Sequence, residues 1–411
     1  MSVMSVVAHA APVEQTRLEL ADIFCSHADA YCKSHYIRPI ERKVIRAVMA
    51  CRTAALGGHR EWCQRCGHER YRYHSCRNRH CPKCQTLAKA TWLEKRQQEL
   101  LPVPYFHDVF TLPHELNRLI LASERNRRAL LDLLFQAAAQ TLVTFGENNL
   151  GGKVGFTMVL HTWDQQLRPH FHVHCVIAAG ALAHDGSKWI PSGKNFMFPV
   201  RALGKVFRAK YLQSLKELLD SGKLDVPPYL TELGSTQKQR QWLRTLSRKA
   251  WVVYSKPPFA GAHKLLDYLG RYTHRVAISN HRLLACENGH VRFAYRDRAD
   301  GNRKKTTSLP AEQFIARFLV HVLPSGFMRI RHYGFLANRA KKNCLAQCRA
   351  QLETSAPEQN EPKTVADWMF ELTGVDITRC PHCGAPLESE ELATQNPPLT
   401  AGSGSTYWDT S

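Results

Sequence analysis

The sequence predicts an α+β protein built around a histidine-bearing strand, and three observations lead there. First, Arg168-Pro169-His170-Phe171-His172-Val173-His174-Cys175-Val176-Ile177 carries a histidine at every second position and ends in an apolar run. Side chains two apart leave the same face of an extended strand, so His170, His172 and His174 point together, with Phe171, Val173 and Cys175 on the opposite face. Second, segments such as 116–145 and 201–219 space their apolar residues as helices do. Third, Cys63-Gln64-Arg65-Cys66 is followed by Cys81-Pro82-Lys83-Cys84, a pairing that reads as a zinc ribbon.

Taken in order, residues 14–52 predict two amphipathic helices, with Leu18, Leu20, Ile23 and Phe24 on one stripe and Ile40, Val44, Ile45, Val48 and Met49 on the next. The paired knuckles then predict four thiolates, Cys63, Cys66, Cys81 and Cys84, closing one tetrahedral Zn2+ shell with no open position, hence a structural site. Cys76, His80 and His68 lie near enough to replace one of these ligands, and Cys51, His59 and Cys76 are candidates for a second ion. Between the knuckles Arg70, Arg72, Arg77 and Arg79 alternate with Tyr71, Tyr73 and His74, a mixture suited to phosphate contact and base stacking. A plain solvated ribbon surface would read the same way.

A connecting helix is expected over 89–100, a strand over 105–112, one or two helices over 116–145, and a strand over 153–163 that turns into the histidine strand. A further strand is expected within 189–200 and a helix over 201–219. Residues 237–256 hold six Lys or Arg and no acid, with Arg244, Arg248 and Lys249 among them, and read as a phosphate-tracking surface. Leu265, Tyr268, Leu269 and Tyr272 form a helical stripe that puts both phenols on one face. That stripe suits a buried core helix; beside a metal-binding strand the phenols become candidate nucleophiles. Residues 291–305 predict a basic hairpin and 312–323 a helix. Cys380-Pro381-His382-Cys383 looks like half a zinc ribbon, with His382, Cys344 and Cys348 as possible completions. Residues 387–411 have acids and no basic residue and are expected to be disordered.

A chain of 411 residues exceeds one typical domain, and the expected division is 1–100, 101–342 and 343–411. No run of eighteen apolar residues appears, and the first residues lack the basic start of an export signal, so the cytoplasm is expected and a membrane partner is not. A net charge of +21 calls for a polyanionic partner. Three Cys-x-x-Cys pairs among fourteen cysteines argue for metal over disulfides in that compartment.

His161-Thr162-Trp163, the run His170 to Cys175, Tyr268-Leu-Gly-Arg-Tyr272-Thr-His-Arg-Val-Ala-Ile-Ser-Asn280 and Arg329-Ile-Arg-His-Tyr-Gly-Phe-Leu-Ala-Asn338 together resemble the insertion sequence 91 family of transposases, which belong to the HUH endonucleases. The resemblance covers nearly the whole chain up to Cys383; Phe171 departs from it, standing where family members usually have proline. It implies a central antiparallel sheet flanked by helices and preceded by the helical segment and zinc ribbon. It also implies cleavage and rejoining of single-stranded transposon ends through a 5′-phosphotyrosine, in rolling-circle-like transposition. Tyr272 is favoured over Tyr268 as the indispensable nucleophile because it sits in the longer matching run, and Arg271 and Arg275 beside it are expected to touch DNA. Mg2+ or Mn2+ is implied at His172 and His174, with His161 and His170 as candidates for a third ligand and His274 as a weaker one. A replication initiator or relaxase would share these residues; with no Gly-x4-Gly-Lys-Ser/Thr motif in the sequence, neither a fused helicase nor a nucleotide cofactor of that kind is expected. A zinc-containing DNA-binding protein without catalysis would explain the charge and the knuckles while leaving the histidine strand idle.

Overall fold

A computed structural model describes residues 17–193, 197–259, 270, 277–297, 299–357, 361 and 363–394. The chain opens with helices α1 (Leu20–Ser34) and α2 (Pro39–Ala50), a hairpin of β1 (Gly58–Trp62) and β2 (Glu69–Tyr73), and helix α3 (Gln85–Gln97). Then come β3 (Tyr105–Thr111), α4 (Asn117–Leu121), α5 (Glu124–Leu150), β4 (Lys153–Trp163), β5 (Pro169–Leu182), the short β6 (Trp189–Pro191), α6 (Val200–Asp220), α7 (Thr236–Arg248) and β7 (Val253–Phe259). The remainder is β8 (Leu283–Glu287), β9 (His290–Asp297), β10 (Arg303–Pro310), α8 (Ala311–Leu319), β11 (Ile330–Gly334), α9 (Lys341–Gln351), α10 (Val365–Thr373) and β12 (Glu388–Leu392). Mixed α+β structure is what the sequence predicts.

The central sheet runs β11-β4-β5-β3-β7, with β6 added on β5, and every pairing is antiparallel. Strand alternation gives it two unlike faces. Phe171, Val173, Cys175 and Ile177 of β5 join Phe106, Phe110, Phe156, Met158 and Leu160 in a core covered by α5 and α6. Helix α5 is long and apolar enough to cross a membrane, but Leu130, Leu131, Leu134, Phe135 and Leu142 are wholly buried in this core, which explains its composition. Ser123 caps its first turn by accepting from Asn126 N, and Gly151 (φ 65°) ends it in the left-handed conformation. On the other face, Val159, Val176, Ala178 and Ile330 pack against Trp92 of α3 and Leu345 and Cys348 of α9.

A second sheet, β10-β9-β8, packs with α8 against α1 and α2, where Phe24 meets Phe318 edge-on at 5.5 Å and Phe293 meets Phe314 at 5.8 Å. A third, β12-β1-β2, joins the two ends of the chain. This last pairing corrects one expectation: Glu388–Leu392 is a strand laid antiparallel on β1, so order reaches into the segment expected to be disordered. Its acidic side chains need no buried partner because β12 sits at the sheet edge with its side chains largely exposed. The strand expected within 189–200 shrinks to Trp189–Pro191, and α6 already begins at Val200.

Candidate metal and active site

The turn between β4 and β5 sets the site. The Asp164 carboxylate accepts from the backbone N–H of Gln166 (2.8 Å) and Arg168 (2.8 Å) and from Arg168 Nε (2.6 Å). Leu167 takes a left-handed φ of 62° and is buried in the second core, where His321 Nε2 meets its carbonyl at 3.1 Å. A turn tied down in this way fixes strand register, and the register places His161 directly opposite His172, with Val159 opposite His174. All three histidines are buried, and one ring nitrogen from each lies within 4.8 Å of the others. Ring centroids are 5.4 Å apart for His161–His172, 4.4 Å for His161–His174 and 5.0 Å for His172–His174. Three imidazoles converging from one sheet face are a donor set for a divalent ion.

Neighbouring groups orient two of the rings. His172 Nδ1 lies 2.9 Å from the carbonyl of His170, so Nδ1 carries the proton and Nε2 the lone pair. His174 Nδ1 lies 2.8 Å from His107 Nε2. Burial, and after it the Lys256 ammonium, push His107 down to about 3, so it is neutral and able to accept from His174 Nδ1–H. That leaves Nε2 of His174 as its ligating nitrogen as well. The residues present therefore fit a resident divalent ion, by donor type and by outer hydrogen bonding. His161 rather than His170 completes the trio: two positions further toward the turn, His170 contributes its backbone carbonyl, with its ring 4.7 Å from that of His172. His107 was not singled out from sequence; a lone His-Asp pair inside the otherwise apolar strand Tyr105–Thr111 was the available signal.

Asp108, the other half of that pair, points to the opposite face, opposite Cys175 in register. Burial raises it to about 6, against a lowering hydrogen bond from Ser255. Tyr254 of β7 stands opposite Val109, hence on the histidine face, and is 53% exposed. Tyr268, Tyr272, Arg271 and Arg275 lie outside the described residues. Gly270, between the two tyrosines, is helical and buried; a Cβ there would come 2.7 Å from Leu93 Cδ1 and 2.7 Å from Lys89 Cε, both on α3. Helix α3 also sends Trp92 onto the histidine face of the sheet.

The structure redistributes the cysteines. Cys63–Cys66 and Cys81–Cys84 do not share a shell. Cys81 and Cys84 gather with Cys51 and Cys76, with Cys84 Sγ 3.5 Å from Cys51 Sγ and 3.6 Å from Cys76 Sγ. Cys63 and Cys66 gather instead with Cys380 and Cys383. The reason is hairpin length: Cys63–Cys66 forms the turn between β1 and β2, and five residues per strand carry it roughly 16 Å from the hairpin base. Cys51 and Cys76 lie just outside that base, beside Arg52 N and His74 O, which are hydrogen-bonded at 3.0 Å. His59 and His80 belong to neither cluster, and all fourteen cysteines are free of disulfides.

The arginines expected to contact DNA divide. Arg70 and Arg72 both pair with the buried Glu61, at 2.7 and 2.8 Å, and Arg79 donates to the carbonyls of Phe327 and Pro324. Arg77, Arg244 and Arg248 are exposed, and Lys249 pairs with Glu115.

A family model described as "Putative transposase" matches residues 155–344, and one described as "Transposase zinc-binding domain" matches residues 23–112. The chain is 47% identical over 371 residues to the "Putative transposase y4qJ" of Sinorhizobium fredii, covering 89% of this chain and 92% of that one. It is 30% identical over 357 residues to the transposase for insertion sequence element IS801 of Pseudomonas savastanoi pv. phaseolicola, covering 85% and 83%. Among solved structures, the conjugative relaxase TrwC in complex with oriT DNA aligns at 15% identity over 40% of this chain and 71% of that one, with a TM-score of 0.22.

Proposed function

The chain belongs to the insertion sequence 91 family of transposases, and on that premise we propose that it nicks and rejoins single-stranded DNA at transposon ends through a covalent 5′-phosphotyrosine. The observation that carries this reading is the convergence of His161, His172 and His174 on one sheet face. A divalent ion bound there, Mg2+ or Mn2+, supplies Lewis-acid polarisation of the scissile phosphate. His161, His172 and His174 would hold it, His172 and His174 through Nε2, while His107 and the His170 carbonyl fix those two rings.

The nucleophile is Tyr272 or Tyr268. Its phenolic oxygen gives up its proton to solvent and bonds to phosphorus, and the 3′-oxygen leaves with the bonding pair and takes a proton from solvent, giving a free 3′-hydroxyl. The phosphodiester energy is kept in the phosphotyrosine, so attack by a 3′-hydroxyl rejoins strands without ATP. Two phenols in one segment serve donor and target in turn. Support for their placement comes from Gly270, which packs on α3, the helix that also reaches the histidine face through Trp92. Arg77, Arg244, Arg248, Arg271 and Arg275 supply phosphate contacts, and Tyr254 offers a stacking surface for an unpaired base. The Cys51–Cys76–Cys81–Cys84 cluster holds structural zinc, and the protein works in the cytoplasm, where the DNA is.

The test is cleavage of labelled single-stranded oligonucleotides bearing the element's ends, with Mn2+ or Mg2+, by wild type, His172→Ala, Tyr268→Phe and Tyr272→Phe. A metal-dependent nick with a covalent protein–DNA band, lost in the histidine variant and in a tyrosine variant, is expected. Binding without nick or adduct would leave a DNA-binding protein instead.

A further inference from the structure

We propose that Cys63, Cys66, Cys380 and Cys383 bind one Zn2+ as a closed four-thiolate site, separate from the Cys51–Cys76–Cys81–Cys84 site, and that this ion fastens the C-terminal segment to the N-terminal module. The site joins residues more than three hundred positions apart, and Cys380 and Cys383 lie beyond both family-matched spans, 23–112 and 155–344.

Geometry comes first. Cys63 Sγ is 3.4 Å from Cys383 Sγ and Cys66 Sγ is 3.6 Å from Cys380 Sγ, with all four sulfurs within 4.8 Å of one another. A zinc tetrathiolate with bonds of about 2.3 Å has sulfur–sulfur edges of about 3.8 Å, whereas a disulfide needs about 2.05 Å. The two halves are built alike. In Cys63-Gln64-Arg65-Cys66-Gly67-His68, the Gly67 N–H donates to the Cys63 carbonyl (2.9 Å) and the Cys63 N–H to the His68 carbonyl (2.9 Å). In Cys380-Pro381-His382-Cys383-Gly384-Ala385, the Gly384 N–H donates to the Cys380 carbonyl (2.9 Å) and the Cys380 N–H to the Ala385 carbonyl (2.8 Å). Gly67 (φ 71°) and Gly384 (φ 72°) take the same left-handed conformation. Two matching knuckles face each other, and the rings of His68 and His382 lie 4.2 Å apart across them.

The module around these thiols lacks an apolar core among its described residues. Among the described residues 57–75 and 376–394, the buried ones are Gly57, Gly58, Glu61, Cys63 and Cys380. No aliphatic or aromatic side chain of the β12-β1-β2 sheet belongs to any of the hydrophobic clusters. A small three-stranded unit with no apolar core needs another source of stability, and burial here centres on thiols, with Cys63 1% and Cys380 3% exposed. The surrounding ties are polar: the β1–β12 ladder, Gln64 Nε2 donating to Glu388 Oε1 at 2.5 Å, and Arg70 donating to the Ile377 carbonyl at 2.6 Å. Four thiolates select a soft, tetrahedral ion, hence zinc.

The experiment uses the full chain purified under reducing conditions, with metal counted per chain. Cys380→Ser/Cys383→Ser is expected to hold one zinc equivalent fewer than wild type, and after exchange with Co2+ its thiolate-to-cobalt charge-transfer band should fall to about half. Cys380→His, which keeps a zinc ligand, should retain the equivalent. A specific protease site inserted after Ser355, in an exposed stretch between α9 and α10, supplies a readout that ligand counting does not. The cut C-terminal piece should co-elute with the remainder until a chelator strips the metal, then separate. Wild-type zinc content in the double serine variant, loss of the equivalent in Cys380→His, or a piece that stays bound after complete stripping would each overturn the proposal.

Discussion

Removing the His107 imidazole tests how the site is oriented. His107 is 1% exposed, holds His174 Nδ1 at 2.8 Å, and has no part in the trio itself. His107→Ala should therefore weaken the site without deleting a ligand. Losing an outer hydrogen bond that fixes a ligating imidazole costs typically 10–100-fold in metal affinity or activity, about 1.4–2.7 kcal/mol. The excised ring adds a cavity penalty to stability of about 2–5 kcal/mol, so His107→Gln, whose amide oxygen can accept from His174, is the informative partner. Initial nicking rates on a single-stranded oligonucleotide, titrated with Mn2+, should show the apparent metal affinity falling 10–100-fold in His107→Ala and mostly recovering in His107→Gln. Because His107 titrates at about 3, the ratio of variant to wild type should not change between about pH 6 and 9. Stability behaves differently. As pH falls from the unfolded value near 6.5 toward about 3, the unfolded chain binds a proton that the folded one refuses, so wild type loses stability in that window and His107→Gln is spared. A folded His107→Ala with wild-type Mn2+ dependence would refute the reasoning.

Three further outcomes are expected. Asp108 is raised from 3.8 to about 6 by burial, so its contribution to stability is present below about 4 and is lost as pH rises through 6; Asp108→Asn should exceed wild type by on the order of 3 kcal/mol at pH 8 in urea unfolding, and a gap that did not narrow by pH 4 would contradict this. Tyr254→Ala should raise KM for single-stranded substrate roughly 5–150-fold, matching about 1–3 kcal/mol of stacking per base, while leaving kcat within about twofold; a fall in kcat at constant KM would assign Tyr254 a different role. Arg244→Ala and Arg248→Ala should each lower the slope of log affinity against log salt by about 0.7 on single strands, and an unchanged slope would take α7 off the DNA path.

The histidine strand was legible because period-two spacing is a local property, and so was the mixed α+β character. His161 was one of three options, beside His170 and His274, until the Asp164 turn set the β4–β5 register; His274 lies outside the described residues. His107 was invisible because its importance comes from a cross-strand neighbour 67 positions away. The cysteines show the limit most clearly. Spacing along the chain suggested that adjacent knuckles would close together, but the β1–β2 hairpin holds one of them at its tip and the returning C-terminus supplies its partners. Likewise Arg70 and Arg72 look like free cations in a basic, aromatic run until Glu61, on the neighbouring strand, is seen to take both.

The central claim is that a tyrosine in the segment around Gly270 attacks DNA brought to the three-histidine face. Its most direct test is to react the wild-type protein with a single-stranded end oligonucleotide and Mn2+, digest the adduct and locate the modified residue by mass spectrometry. A 5′-phosphodiester-linked nucleotide remnant is expected on Tyr272 or Tyr268, and none when His172→Ala is used. A nick that releases a free 5′-phosphate with no adduct, or a remnant on any residue outside that segment, would contradict it.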